Sequence, residues 1–254
     1  VIACNWSDVA TLKDIPAGGQ PKGMTFPLAG MIRKAMIAEN EDRPNLEGRG
    51  RPAITIPLIS GGRTYDPELA EGALAQGVCD FIHMGRGLLT EPNRPNMILN
   101  GTWKYARPCI GCQKCMDNQL HHDGELICSG NAVFGHDDND ASLPEPETIK
   151  NVMVVGGGPA GIEAARVAAI RGHHVTVYEA ADRLGGQLIP AIVPPYKQNL
   201  ADYIPYMEGQ AEYRGFTVEL NHPITREEVA RLKPDVVIVA TGVLPAVLPI
   251  PGFD

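Results

Sequence analysis

Residues 152–161 read Val-Met-Val-Val-Gly-Gly-Gly-Pro-Ala-Gly, an apolar run that ends abruptly in the pattern G-x-G-x-x-G. Few folds accommodate this. The apolar run predicts a strand over Val152–Val155, and Pro159 sits where a helix begins, so Pro159–Arg171 is expected to be helical and to stop at Gly172. A second apolar run, Val175–Glu179, then closes a βαβ unit. Gly156 permits the tight turn, Gly158 lets the backbone approach a pyrophosphate, and Gly161 lets the helix lie close to the strand, while the helix N-terminus offers amide donors to phosphate. Glu179 falls about 20 residues on, where a carboxylate accepts hydrogen bonds from a ribose. The turn alone does not separate FAD from NAD. Asp235–Ala240 adds another apolar run, expected as a buried strand, ending at Thr241-Gly242.

A second constraint comes from cysteine spacing. Four of the six cysteines, Cys109, Cys112, Cys115 and Cys128, form C-x2-C-x2-C-x12-C in a stretch with little periodicity, expected to be a compact loop. Three close thiolates and one distant one suit a cubane cluster, in which each iron takes one sulfur from a different direction. Structural zinc is the competing reading, but zinc sites more often pair two separated C-x2-C knuckles. His121 and His122 offer substitute ligands, although adjacent histidines in a polar loop are ordinarily solvated. Cys4 and Cys79 lie on strand-like runs, where buried inert thiols are the rule.

The first third of the chain alternates β and α signals. Val1–Asn5 reads as a strand, Pro27–Ala38 as an amphipathic helix, and the charged stretch 39–51 as a surface loop. Ala53–Ile59 reads as a buried parallel strand leading into Ser60-Gly61-Gly62-Arg63. Asp66 caps a helix with Pro67 in its first turn and Gly77 at its end, and Asp80–Met84 is a further strand leading into Gly85-Arg86-Gly87. Two glycine–arginine loops after consecutive strands resemble the phosphate site at the mouth of an α/β barrel, with amides and guanidinium groups facing one anion.

A formal charge of -8 without a basic cluster argues against nucleic acid and anionic membrane surfaces as partners, leaving small molecules or proteins. No apolar stretch approaches the ~20 residues of a membrane helix, and the first residues lack a signal peptide's basic region, which reads as cytoplasmic. Crowded cysteines fit the same reducing setting. The chain opens without Met on a strand-like run, as an excerpt from a longer protein would. The acidic, proline-rich stretch Gly135–Ile149 marks a domain boundary.

Taken together, Gly61-Gly62-Arg63 with Asp66-Pro67, Gly85-Arg86-Gly87-Leu88-Leu89, Pro108-Cys109-Ile110-Gly111-Cys112, Gly185-Gly186-Gln187-Leu188 and Ala240-Thr241-Gly242 resemble the old yellow enzyme-related iron–sulfur flavoenzymes, the family of 2,4-dienoyl-CoA reductase, enoate reductases and trimethylamine dehydrogenase. The resemblance implies an α/β chain in three parts. Residues 1–107 would be the C-terminal portion of an FMN-binding TIM barrel, its strands six to eight. Residues 108–149 would be the [4Fe–4S] loop and linker, and residues 150–254 an incomplete Rossmann-like FAD-binding domain. It further implies that Gly62, Arg63, Gly85 and Arg86 hold FMN phosphate and that Cys109, Cys112, Cys115 and Cys128 ligate the cluster. Gly156, Gly158, Gly161, Glu179, Gly186 and Gln187 would hold FAD, with Thr241 and Gly242 nearby. The strands that carry the family's usual catalytic acid have no counterpart here, so no proton donor is assigned.

Electron counting orders these cofactors. NAD(P)H delivers a hydride, a cluster passes single electrons, and a flavin does either, so flavins are needed on both sides of the cluster. In a reductase the path runs from NAD(P)H through FAD, cluster and FMN to an activated C=C bond of a small substrate. In the amine dehydrogenases the substrate reduces FMN, and an external electron-transfer protein takes the electrons. The cysteine spacing is closer to the amine dehydrogenases, but Gln119 stands where that group carries an aromatic residue, and Trp6 is at best a partial substitute. Gly185-Gly186-Gln187 suits an intact FAD and favours the reductase. A third reading is an inactive gene fragment or an electron-transfer module.

Overall fold

The computed structural model describes residues 20–41, 53–121, 126–135 and 143–244. The expected strand Val1–Asn5, with Cys4 and Trp6, most of the stretch 39–51, and His122 lie outside the described residues. The protein is a mixed α/β chain of two compact units, one comprising Val1–Asp137 with Pro195–Tyr203, the other Asp138–Pro194 with Ile204–Asp254.

In the first unit, helix α1 (Phe26–Glu41) runs three residues past its expected end, into the charged stretch read as loop. Strand β1 (Ile59–Ser60) pairs in parallel with β2 (Phe81–Ile82), with Ile59 opposite Phe81 and Ser60 opposite Ile82. Between them lies α2 (Pro67–Ala75). Asp66 caps it by accepting from the amides of Glu68 and Leu69, and Gly77 ends it at a φ of 65°. Short helices α3 (Arg86–Thr90) and α4 (Arg94–Leu99) follow β2.

The run Ala53–Ile59 is not the buried strand that its composition predicts. Only its last residue joins a ladder, and Ile59 and Phe81 are 60% and 57% exposed. Side chains occupy its backbone instead. Asn40 donates to the Ile54 carbonyl at 3.1 Å and accepts from the Ile54 amide at 3.0 Å, and the Asp80 carboxylate accepts from the Leu58 amide at 2.7 Å. Cys79 is buried as expected, and burial pushes its thiol up. The cysteine stretch is also more regular than a loop, because helix α5 (Lys114–His121) carries Cys115 in its first turn.

In the second unit, β3 (Asn151–Val155), α6 (Pro159–Ile170) and β4 (His174–Tyr178) form the expected βαβ, with Gly172 at a φ of 87° ending the helix. Strands β5 (Thr217–Glu219) and β6 (Val236–Val239) complete a parallel sheet of order β5-β4-β3-β6. Val154, Val177, Ile162 and Ala165 are fully or almost fully buried and form the core between sheet and α6. Expected as a buried strand, β6 is an edge strand, with Val239 73% exposed, because only β3 flanks it among the described residues. Helices α7 (Leu188–Ala191) and α8 (Tyr203–Arg214) precede β5, and α9 (Arg226–Leu232), which precedes β6, starts on a Thr225–Glu228 capping box.

Candidate functional site

The glycine turn of the second unit is fixed by close approach. A Cβ on Gly156 would lie 2.3 Å from the Ala240 carbonyl oxygen, and one on Gly161 would lie 1.9 Å from the Gly156 oxygen. Neither position tolerates a side chain. Gly158 precedes α6 with no side chain capping the helix, so the first-turn amides face outward to whatever binds there. Glu179, at the end of β4, accepts from the Gly157 amide at 2.6 Å and from the Ala181 amide at 2.8 Å. Gly186 approaches Gly158 closely, the Gly185 amide donates to the Gly157 carbonyl at 3.0 Å, and Gln187 donates to the Val243 carbonyl at 2.9 Å. Thr241 passes beside Gly156, and Gly242 has a φ of 67°. Glu179, Gly186 and Thr241 thus lie against the turn Gly156–Gly161, while Gln187 meets the chain just past Gly242.

In the first unit, Gly62, Arg63, Gly85 and Arg86 line a single cavity of about 210 Å³, together with Thr64, Tyr65, His83, Met84, Gly87, Cys109 and Met116. Arg63 is buried at a φ of 56°, and its guanidinium donates to the Gln20 carbonyl. Gly61 packs against the His83 ring, so that a Cβ, which would fall 1.8 Å from Nδ1, would push the imidazole aside. The His83 backbone is held on both sides, donating to the Ser60 carbonyl at 2.9 Å and accepting from Thr64 Oγ1 at 2.8 Å. Tyr65 is buried, and burial first, then the nearby Asp202 carboxylate, pushes its phenol upward. The room and the paired guanidinium groups fit a flavin phosphate.

Cys109, Cys112, Cys115 and Cys128 line an adjoining cavity with Arg86, Gln113 and Gly130. Arg86 and Cys109 are common to both cavities, and Arg86 Nη1 donates to Gln113 Oε1 at 3.0 Å inside the cysteine segment. Burial pushes the Cys115 and Cys128 thiols up, Arg86 opposes this at Cys115, and amides of Gly130 and Asn131 oppose it at Cys128. Four cysteines lining one cavity are the donor set that a [4Fe–4S] cluster takes.

Relatives narrow the reading. The pattern of the family described as pyridine nucleotide-disulphide oxidoreductase matches residues 117–202 and 150–254. Cinnamate reductase of Clostridium sporogenes is 37% identical over 204 residues, covering 80% of this chain and 30% of its own. The solved 2-naphthoyl-CoA reductase superposes with a TM-score of 0.81 at 28% identity, over 93% of this chain and 33% of that one. Dimethylamine dehydrogenase of Hyphomicrobium sp. is 28% identical over 76% of this chain and 27% of its own. The chain belongs to the old yellow enzyme-related family of iron–sulfur flavoenzymes. It spans about a third of the length of these family members. The family is one of oxidoreductases.

Several site residues of this family member carry no signal in the sequence. His83 and Tyr65 reach the cavity of the first unit only because β1 and β2 pair in the observed register, and Met116 arrives on α5. The segment Pro195–Tyr203, for which the sequence offered no reading, packs with the first unit. Among the described residues no helix is long and apolar enough to cross a membrane.

Proposed function

We propose that this chain is part of an iron–sulfur flavoprotein reductase that takes electrons from NAD(P)H and delivers them to an activated C=C bond. In this reading residues 1–107 are the closing part of a TIM barrel that holds FMN, 108–149 the cluster loop and linker, and 150–254 a Rossmann-like FAD domain. Bound FAD, [4Fe–4S] cluster and FMN would supply the conversion between hydride and single-electron transfer. The observation that carries the proposal is the wall shared by the two cavities of the first unit, where Arg86 and Cys109 belong to both.

The chain's own residues have definite tasks. Arg63 and Arg86 neutralise the FMN phosphate, and Gly62 and Gly85 let backbone amides approach it. Cys109, Cys112, Cys115 and Cys128 ligate the cluster, and the amides of Gly130 and Asn131 favour the Cys128 thiolate. Gly156, Gly158 and Gly161 would receive the FAD pyrophosphate, Glu179 would brace the turn and accept from the ribose, and Gly186 and Gln187 would help hold FAD, with Thr241 and Gly242 nearby. Stronger identity to cinnamate reductase than to dimethylamine dehydrogenase, 37% against 28%, supports the reductase direction. The cysteine spacing favours the second reading, an amine dehydrogenase that passes electrons to an external carrier protein.

The test uses the full-length enzyme purified without oxygen. About four irons with matching sulfide per chain, together with FMN and FAD, are expected from the cluster stoichiometry. Zinc without sulfide would sink the cluster assignment. NAD(P)H should then reduce an α,β-unsaturated acid or thioester, whereas reduction of the flavins by a secondary or tertiary amine would establish the second reading instead.

A further inference from the structure

The chain leaves its second unit after Pro194 and returns to it at Ile204, and the segment between packs with the first unit. It starts as a 3-10 helix, Pro195–Leu200. Three of its side chains meet the walls of the two cavities. The Asn199 carboxamide donates to the carbonyl of Ile110, which lies between Cys109 and Cys112. Tyr203 donates to the carbonyl of Gly130 at 3.4 Å, and Gly130 in turn supports the Cys128 sulfur through its amide. Asp202 accepts from the Tyr65 hydroxyl at 2.9 Å and pairs with Lys22 at 2.9 Å.

These contacts fall on both arms of the cysteine loop. One arm carries three of the thiols, the other carries Cys128, and they are far apart in sequence. Ligands to a cluster keep their spacing only when the backbone that bears them is held from outside, and such outer contacts typically alter metal affinity by ~10–100-fold when removed. The Tyr203 ring also packs on the loop itself, within 3.7 Å of where a Gly130 Cβ would stand.

We propose that Pro195–Tyr203 is a strap that holds the two arms of the cysteine loop together, with Asn199 and Tyr203 as positioning residues for the cluster ligands and Asp202 anchoring the strap beside the flavin cavity. The proposal rests on the cluster reading above. It differs from a general fold staple, because its loss frees carbonyls next to ligands rather than opening a core. Iron retention should therefore suffer while flavin retention does not.

The experiment measures iron transfer from the anaerobic full-length enzyme to a ferrous chelator, with FMN and FAD quantified in the same samples. Asn199→Ala is expected to release iron roughly tenfold faster than wild type. Tyr203→Phe, which removes only a hydroxyl, should accelerate release by a smaller factor, and both should shift the electron paramagnetic resonance signal of the reduced cluster. Lys197→Ala, exposed on the same segment, should match wild type. Wild-type release rates in both variants would overturn the strap, and so would loss of flavin in proportion to iron. Wild-type enzyme without iron and sulfide would overturn the cluster reading itself, and the strap with it.

Discussion

The two units arrive at their binding surfaces by opposite routes. In the second, one continuous βαβ stretch supplies the turn, the helix N-terminus and the Glu179 carboxylate, and a well-paired parallel sheet holds them. In the first, strands of two residues carry loops whose contents are completed by α5, by the segment around Cys128 and by Pro195–Tyr203. Consequently the second site is insulated and the first is shared. A residue such as Gly161 packs within one turn, whereas Arg86 faces two cavities at once.

The largest effect is expected where insulation meets close packing. Gly161→Val forces a side chain into the Gly156 carbonyl, a backbone clash that costs about 3 kcal/mol or more. FAD should be absent from the purified full-length protein, while FMN and iron remain at wild-type levels. Loss of all three would show that the units are not separable in this way.

Arg86→Ala comes next and sharpens the contrast. A charge-assisted hydrogen bond contributes roughly 1.5–3 kcal/mol, so FMN affinity should fall by about one to two orders of magnitude in a fluorescence titration. Because Arg86 also donates to Gln113 and favours the Cys115 thiolate, iron content should drop in the same preparation. An FMN defect with full iron occupancy would mean that the common wall has no functional weight.

The same contrast explains what could be read from the residues alone. The glycine turn, the Asp66 cap and the stop at Gly77 were legible because each is decided by a few adjacent residues and by backbone geometry. Ala53–Ile59 misled because a buried strand and an exposed run share one composition, and the difference lies in Asn40 and Asp80 taking its backbone partners. β6 misled for a related reason, since hydrophobicity does not say how many neighbours a strand has, and among the described residues β6 has only β3. The cysteine spacing picked out four thiols that line one cavity, but not the helix beneath Cys115. The cavity residues His83 and Tyr65, and the Asn199 contact to Ile110, depend on pairings distant in sequence, for which no local pattern exists.

A smaller effect tests the carboxylate of the dinucleotide turn. Glu179 accepts two amide hydrogen bonds, one on each oxygen. Glu179→Gln keeps one acceptor and turns an amino group toward the other amide, and neutral bonds are roughly half as strong as charged ones. FAD affinity should weaken by about fivefold to tenfold, measured by equilibrium dialysis, without change in FMN. An unchanged affinity would mean that Glu179 neither braces the turn nor meets the ribose.

The smallest expected effect lies where the units use the same device. Asp80 and Asp235 each precede a strand and pair reciprocally with a residue of the neighbouring one. The Asp80 amide donates to the Leu58 carbonyl at 2.8 Å while its carboxylate accepts from the Leu58 amide, and the Asp235 amide donates to the Asn151 carbonyl at 3.0 Å while its carboxylate accepts from the Asn151 amide at 2.7 Å. At Asp80 the Leu58 amide, and then the Arg33 guanidinium, hold the carboxyl below its ordinary value of 3.8. A carboxylate whose value is lower in the folded state contributes stability that is present above that ordinary value and is lost as pH falls through the folded one. Asp80→Asn cannot carry the charge, although its carbonyl can still accept from Leu58. The variant should exchange the Leu58 amide hydrogen somewhat faster than wild type at neutral pH. That gap should close as the pH drops below the ordinary aspartate value, because wild type then loses what the variant never had. A gap that is constant across the acid range would show that the Asp80 charge contributes nothing to holding Leu58.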